Sequence, residues 1–351
     1  MERTLPLLGV YCVEGGAPVG TVALSENKLR GTFPWELSLL TSLEVMDFGL
    51  NSLSGSIPTQ IEHMTNLQFF LVYLNSLEGS IPSRISELAR LEVFQVNGNE
   101  LTGRLPAIFS PSTIEIDLSA NSLTGTIPES WGTTMVALER VSLTDNRLTG
   151  SIASSFGRLT NLCDLSLDRN LLTGPLPTTF PANTVILSLD GNAFTGSIPS
   201  IWGASMPNLT ALSFGENSLT GVIPSSLLDG LVHLEYFAAG DNFLSGPLPA
   251  SFATSVTELI FQNNALTGPI PSAWGDILPN LGLLAIHGNS LTESIPVSLG
   301  QISTLGAFTF NSNSLTGSAD FLCDIRDWAL LEADCPAPVT CSCCTTCHDA
   351  R

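Results

Sequence analysis

The sequence predicts an α/β solenoid, one elongated domain of about 13 coils with a parallel β-sheet running along one side. Three observations predict it. Asparagine returns at Asn27, Asn51, Asn75, Asn99, Asn121, Asn146, Asn170, Asn192, Asn217, Asn242, Asn264, Asn289 and Asn313, at spacings of 22, 24 or 25 residues. Leucines precede each Asn in a fixed pattern, as Leu162, Leu165 and Leu167 precede Asn170. Gly follows four places on in twelve coils, with Glu293 the exception, and Pro follows seven places on in eleven, with Ala153 and the last coil, at Ala319-Asp320, departing. A period of this length, held over residues 19–319, is the mark of a repeat architecture rather than of two globular domains.

Within each coil the residues five and three places before Asn are apolar and alternate with outward ones, so the segment is a short strand with one buried face. A three-residue strand cannot bury itself, but stacked in parallel on its neighbours it can. The leucine two places after Asn (Leu123, Leu148, Leu219) and the Ile or Leu before Pro (Ile127, Ile198, Leu248) close the core from other sides. The Asn amide, with two donors and an acceptor, suits the backbone groups orphaned where the strand turns a corner, and Gly suits the bend after it. From Asn99 the spacings run 22, 25, 24, then 22, 25, 25, then 22, 25, 24, so three coils form a larger unit. Phe109, Phe180 and Phe252 open its short coil; Trp131, Trp202 and Trp274, each followed by Gly, open the next. These rings are expected to pack the core rather than to meet a ligand.

Charge narrows the partners. The net charge is −20, only 13% of residues are charged, and Lys28 is the one lysine. Nucleic acid and anionic membrane surfaces are disfavoured, because few cations are present to meet phosphate, and basic or neutral partners are favoured. Gly191 to Gly215 contains no charged residue, yet its prolines and repeat register argue against a membrane span.

After Asn313 the pattern dissolves. Residues 320–351 are expected to form a cysteine-rich cap over the last exposed core, with a helical turn around Trp328, Leu330 and Leu331. A Cys323–Cys335 bridge would seal it, and Cys341, Cys343, Cys344 and Cys347 would form two further bridges. A zinc cluster of Cys341, Cys343, Cys344, Cys347 and His348 is the competing arrangement. Asn208-Leu-Thr210 is the one N-glycosylation sequon, and with the disulfides it points to a secretory route.

The run Leu-x-x-Leu-x-Leu-x-x-Asn-x-Leu-Thr-Gly-x-Ile-Pro resembles the plant-type extracellular leucine-rich-repeat proteins, over about residues 9 to 319. Such domains form receptor-like protein ectodomains and polygalacturonase-inhibiting proteins. The resemblance implies a curved right-handed superhelix with its parallel sheet on the concave face, where ligands bind. Gly9-Val10-Tyr11-Cys12 resembles the end of that family's N-terminal cap, in which the cysteine pairs upstream. Residues 1–18 are therefore expected to be a truncated cap remnant with Cys12 unpaired.

Side chains six, four and two places before each ladder Asn point away from the core, three per coil, and they make a mosaic. Val45, Phe69, Leu71, Tyr73 and Val93 are apolar. Asp117, Asp164, Asp168 and Asp190, with Ser119, Ser142, Thr144, Ser166 and Ser188, form a hydroxyl and carboxylate field in which Arg140 is the lone cation. Tyr236, Ala238, Ile260, Leu283, Ala285 and His287 turn apolar again. Aromatic and apolar anchors beside polar groups mark an interface. Asp168 and Asp190 are expected on adjacent strands, as screened acids rather than as a calcium site. No catalytic set is expected: His63 and His233 fall in connections, His348 in the tail, and only His287 reaches the mosaic, without a nucleophile in register. No cofactor or metal is called for. These residues point to a secreted or cell-surface, non-enzymatic recognition module for a protein, peptide or cell-wall glycan. The alternative is an adhesive protein meeting a polysaccharide or ice through its regular hydroxyls (Ser142, Ser166, Ser188, Ser213).

Overall fold

The computed structural model describes residues 9–12 (backbone), 19–323, 327–335 and 337–348. The expected fate of Cys12 and of residues 1–8 and 13–18 lies outside the described residues. The chain forms two compact units, Met1–Leu172 and Thr173–Arg351.

In the first unit the predicted strand of every coil forms where the leucine pattern places it. Val19–Ala23, Val45–Asp47, Phe69–Leu71, Val93–Gln95, Glu115–Asp117, Arg140–Ser142 and Asp164–Ser166 pair in parallel, each with the next, in one register. Gly9–Cys12 adds to the first edge antiparallel to Val19–Ala23. The segment after Asn, expected only to bend, is itself a strand: Arg30–Thr32, Ser52–Gly55, Ser76–Ser80 and Glu100–Thr102 form a second parallel sheet. Short helical turns such as Thr59–His63 and Trp131–Thr134 complete the coils.

The second unit repeats the arrangement from Ile186–Ser188 through Ala211–Ser213, Tyr236–Ala238, Glu258–Ile260, Leu283–Ala285 and Ala307–Thr309. It then departs from expectation. Leu330–Asp334 is a strand, not a helical turn, and pairs in parallel with Ala307–Thr309; Thr346–His348 pairs in turn with Leu330–Asp334. The physical reason is the open sheet edge, whose unpaired N–H and C=O groups recruit a further strand. Leu331 and Ala333 are fully buried between Leu330 and Glu332, an alternation of period two that belongs to a strand.

That pairing also corrects the disulfides. Cys335 bonds Cys347, Cys323 bonds Cys343, and Cys341 bonds Cys344. The expected Cys323–Cys335 bridge does not form, because Cys335 ends one sheet strand and Cys347 lies in the strand beside it. All four cysteines of the competing zinc arrangement are thereby oxidised.

The core is leucine, phenylalanine and tryptophan in vertical stacks. Trp131, Trp202 and Trp274 are fully buried, and each indole Nε1 donates to a backbone carbonyl of the preceding coil: Pro106, Pro177 and Pro249, at 3.0, 2.9 and 3.0 Å. Phe109 and Phe180 meet their Trp edge-on at 5.6 Å, Phe252 its Trp at 5.9 Å. The Gly after each Trp has a reason too: a Cβ at Gly203 would fall inside the Ser226 and Leu227 carbonyls of the next coil.

The asparagine ladder forms as expected. Asn146 Nδ2 donates to the carbonyls of Leu118, Leu143 and Thr144, and its Oδ1 accepts the Leu123 N–H. The residue before each ladder Asn takes a positive φ, from Glu26 to Ser312, which lets the strand turn its corner. Glu293, where other coils have Gly, is held at φ 69°. Among the described residues no helix is long and apolar enough to cross a membrane.

Candidate recognition face

Register places three side chains per coil on the face of the main sheet opposite the core. In the first unit Phe69 and Val45 are half-buried there, whereas Leu71 and Val93 are only 4% and 8% exposed. The apolar zone therefore offers Val45, Phe69 and Tyr73 rather than all five side chains. The Tyr73 ring lies directly over Gly49, where a Cβ would strike it. Burial, with Asp47 and Glu26 nearby, pushes its hydroxyl pKa up.

The carboxylate field is more neutralised than its sequence suggests. Arg140 donates twice to Glu115, at 2.6 and 2.8 Å, and lies 3.5 Å from Glu139. Asp117 accepts from the Ser119 hydroxyl at 2.6 Å and its N–H at 3.0 Å, and Asp164 accepts from Ser166 at 3.1 Å. Burial pushes the Asp164 carboxyl up, against the Ser166 bond and the Arg140 charge. The Thr144 hydroxyl donates to Asp168 at 3.4 Å. Cys163, the free thiol among the described residues, is half-buried, and burial holds it protonated.

The second unit carries two pits on the same face. The first, about 260 Å³, lies where Gly215 and Gly240 leave the sheet bare. Asp190, Glu216, Tyr236 and Asp241 wall it. Asp190 accepts the Gly215 N–H, and Asp241 accepts from Gln262 Nε2 at 3.0 Å and Asn263 Nδ2 at 2.7 Å. The second pit, about 240 Å³, is almost wholly apolar, with Ile260, Leu283 and Leu330 around the smaller Ala285 and Ala307. His287 and Thr309 form its polar edge and share a hydrogen bond of 2.8 Å. Burial holds the His287 pKa down, against the charges of Glu332 and Asp241. Ile260 and Gln262 form a wall common to both pits.

The structure thus brings Asp190, Tyr236, Ile260, Leu283 and His287 onto one stretch of surface. Glu216 and Asp241 were missed because they stand one place before Asn, a position whose positive φ throws the side chain to the rim. Leu330 was missed with its strand, and its spacing from Ala307 was the available signal. His348 lies in register with Asp334, on the sheet rather than in a loose tail. A further signal was plain in the sequence: no lysine or arginine occurs between Arg169 and Arg326. Asn208 is exposed and donates to the Ala182 carbonyl at 3.3 Å.

Stacked parallel strands, asparagine ladder and short helical turns define the class: the chain is a leucine-rich-repeat solenoid, similar to the ectodomains of plant receptors. Residues 30–148 match the family model described as the EGF-like domain-containing protein ComC LRR domain. Receptor-like protein 31 of Arabidopsis thaliana is 43% identical over 75 residues, 20% of this chain and 8% of that protein. The Arabidopsis receptor kinase HAESA, solved with the peptide hormone IDA and the co-receptor SERK1, superposes with a TM-score of 0.79 at 32% identity, over 85% of this chain and 50% of that one. The plant peptide hormone receptor RGFR1, solved with RGF2, gives 0.75 at 27% identity, over 90% and 58%. The chain spans about half the length of these receptor structures.

Proposed function

We propose that the chain is a secreted or cell-surface recognition module, without enzymatic chemistry of its own, that binds a protein or peptide on the open face of its main sheet. The observation that carries this reading is the irregularity of that face in the second unit, where an acidic pit and an apolar pit adjoin. Specific recognition needs such unlike anchors. The peptide hormones bound by HAESA and RGFR1 support a peptide or protein over a glycan. An adhesive surface would instead need rows of free hydroxyls, but Ser166 donates to Asp164, and Ser188 and Ser213 bond each other at 2.9 Å. The three disulfides accord with an oxidising, extracellular setting.

The test is capture of extracellular peptides and proteins by the purified chain, with mass spectrometry of what is retained. Ile260→Glu with Leu283→Glu should release the retained species while thermal unfolding stays near that of the parent. Retention indifferent to these changes and to Phe69→Ala with Tyr73→Ala would remove recognition from this face.

A further inference from the structure

The three bridges of the tail differ in what they tie together. Cys335–Cys347 holds Thr346–His348 against the end of Leu330–Asp334, and Cys323–Cys343 joins the helical turn Asp320–Leu322 to the tail. They span 12 and 20 residues, whereas Cys341–Cys344 spans three and joins no two elements. Opening that short bridge displaces neither strand nor turn, and in the chain-entropy account it stabilises the fold least of the three, because the loop it closes is the shortest. It is also accessible. Cys341 and Cys344 are half-buried beside the exposed Ser342 and Thr345, while Cys335, at 5% exposure, shields its own bridge from one side.

The sulfurs of two separate bridges converge. Cys323, Cys341 and Cys343 place their Sγ atoms within 4.8 Å of one another, although Cys341 belongs to a different disulfide from the other two. Hydrogen bonds fix the turn that carries Cys341 in this position: the Ser342 N–H donates to Asp320 Oδ1 at 2.7 Å, and the Ser342 hydroxyl to Cys323 Sγ at 3.4 Å. Cys341 Sγ is thus held close to a disulfide of which it is not a member. A thiolate beside a disulfide exchanges with it by attacking one sulfur and expelling the other.

We propose that the tail is a thiol–disulfide exchange site, which accepts two electrons from an external dithiol at Cys341–Cys344 and passes the break on to Cys323–Cys343. One thiolate of the dithiol attacks Cys344 Sγ, and Cys341 leaves as a thiolate. The second thiol of the reagent then expels Cys344, so the reagent is oxidised to its disulfide and the short bridge is reduced. Next the Cys341 thiolate attacks Cys323 Sγ: the Cys323–Cys341 bond forms, the Cys323–Cys343 bond breaks, and Cys343 leaves as a thiolate. This last step moves no net electrons, and the two protons of the dithiol end on Cys343 and Cys344. Attack falls on Cys323 because a Cys341–Cys343 bridge would close a small ring across a single intervening residue. The product keeps Asp320–Leu322 tied to the tail and Cys335–Cys347 intact, and it presents neighbouring thiols at Cys343 and Cys344. The cap thereby becomes reactive without releasing the strands it covers, an activity separate from recognition on the sheet face.

The test is limited reduction of the full chain with dithiothreitol, followed by acid quenching, alkylation and tandem mass spectrometry of the tail peptides without further reduction. The first species to gain a pair of alkyl groups in the tail should carry them on Cys343 and Cys344, with Cys323 joined to Cys341 and Cys335 still joined to Cys347. Alkyl groups on Cys341 and Cys344 with Cys323–Cys343 retained, or first opening at either of the other bridges, overturn the inference. Two variants isolate the internal step. Cys344→Ser deprives Cys341 of its partner and should yield the Cys323–Cys341 linkage with an alkylated Cys343. Cys341→Ser leaves its thiol on Cys344, which is not among the convergent sulfurs, and should keep Cys323–Cys343. Cys323–Cys343 as the sole pairing of Cys323 in both variants overturns the inference as well. Should Cys344→Ser fail to fold, the limited reduction of the parent chain decides by itself.

Discussion

Asn170 shows how much one side chain can hold in this fold. Its Nδ2 donates to the carbonyls of Leu143, Leu167 and Asp168, while its Oδ1 accepts the Leu148 N–H, so one amide ties adjacent coils at a buried corner. Asn170→Ala is expected to cost about 1–3 kcal/mol, because buried backbone groups lose their partners. Ser166→Ala, which removes only a half-exposed bond to Asp164, should cost well under half of that by chemical denaturation. His287 gives a pH signature. Its pKa is held down, chiefly by burial, so below about pH 6.5 the unfolded chain takes up a proton that the folded chain resists. Stability is therefore expected to fall with pH through that window. Glu332 and Asp241 oppose the shift and His348 adds to it, but all three remain in a His287→Gln variant. That variant should show a shallower decline in denaturation midpoint between pH 7 and 5; parallel curves would mean that the imidazole is solvated.

Among the elements, the coils opened by Trp and Gly are the most tightly built. Trp202 fills the core and bonds Pro177, and Gly203 lets the backbone of the next helical turn come within contact. Gly203→Ala is expected to destabilise by more than about 1 kcal/mol although Ala favours helix, because the added methyl meets backbone oxygen rather than a side chain that can move. The terminal strands carry a second test. Peptide mapping without reduction should recover Cys335 joined to Cys347, and mass measurement should find the tail about 6 Da lighter than its reduced form. Reduction should then raise amide exchange in Leu330–Asp334 and Thr346–His348 before the coils around Asn242. Bound zinc with full thiol content would overturn both the pairing and the oxidising setting.

Across the whole molecule the charge is −20, and its uneven placement is the functional clue. A basic peptide docking on the second unit should associate more slowly as salt rises past about 0.1 M, where the screening length is about 10 Å. Glu216→Gln with Asp241→Asn should flatten that dependence, whereas Leu283→Ala should chiefly speed dissociation. Salt-independent association of the captured species, unchanged by the double substitution, would show that these carboxylates serve solubility alone.

Much of this was already legible in the chain. Each coil places its Asn, its alternating leucines and its Gly within one short stretch, so strand, corner and bend follow from local chemistry, and repetition supplies the stacking partner. The outward positions of Tyr236, Ile260, Leu283 and His287 followed from the same register. Other features depended on contacts far apart in sequence. Leu330–Asp334 is a strand because the edge of Ala307–Thr309 offers it hydrogen bonds, and the disulfide partners of Cys335 and Cys323 follow from where that strand lies. Leu71 and Val93 are buried although they stand at outward positions, which no alternation within one coil reveals. Glu216 and Asp241 reach the face because a positive φ before each ladder Asn turns them outward. The pits themselves arise where small residues, Gly240 just past the strand Tyr236–Ala238 or Ala285 within Leu283–Ala285, sit beside larger residues of neighbouring coils, and that depth is a property of the assembled sheet.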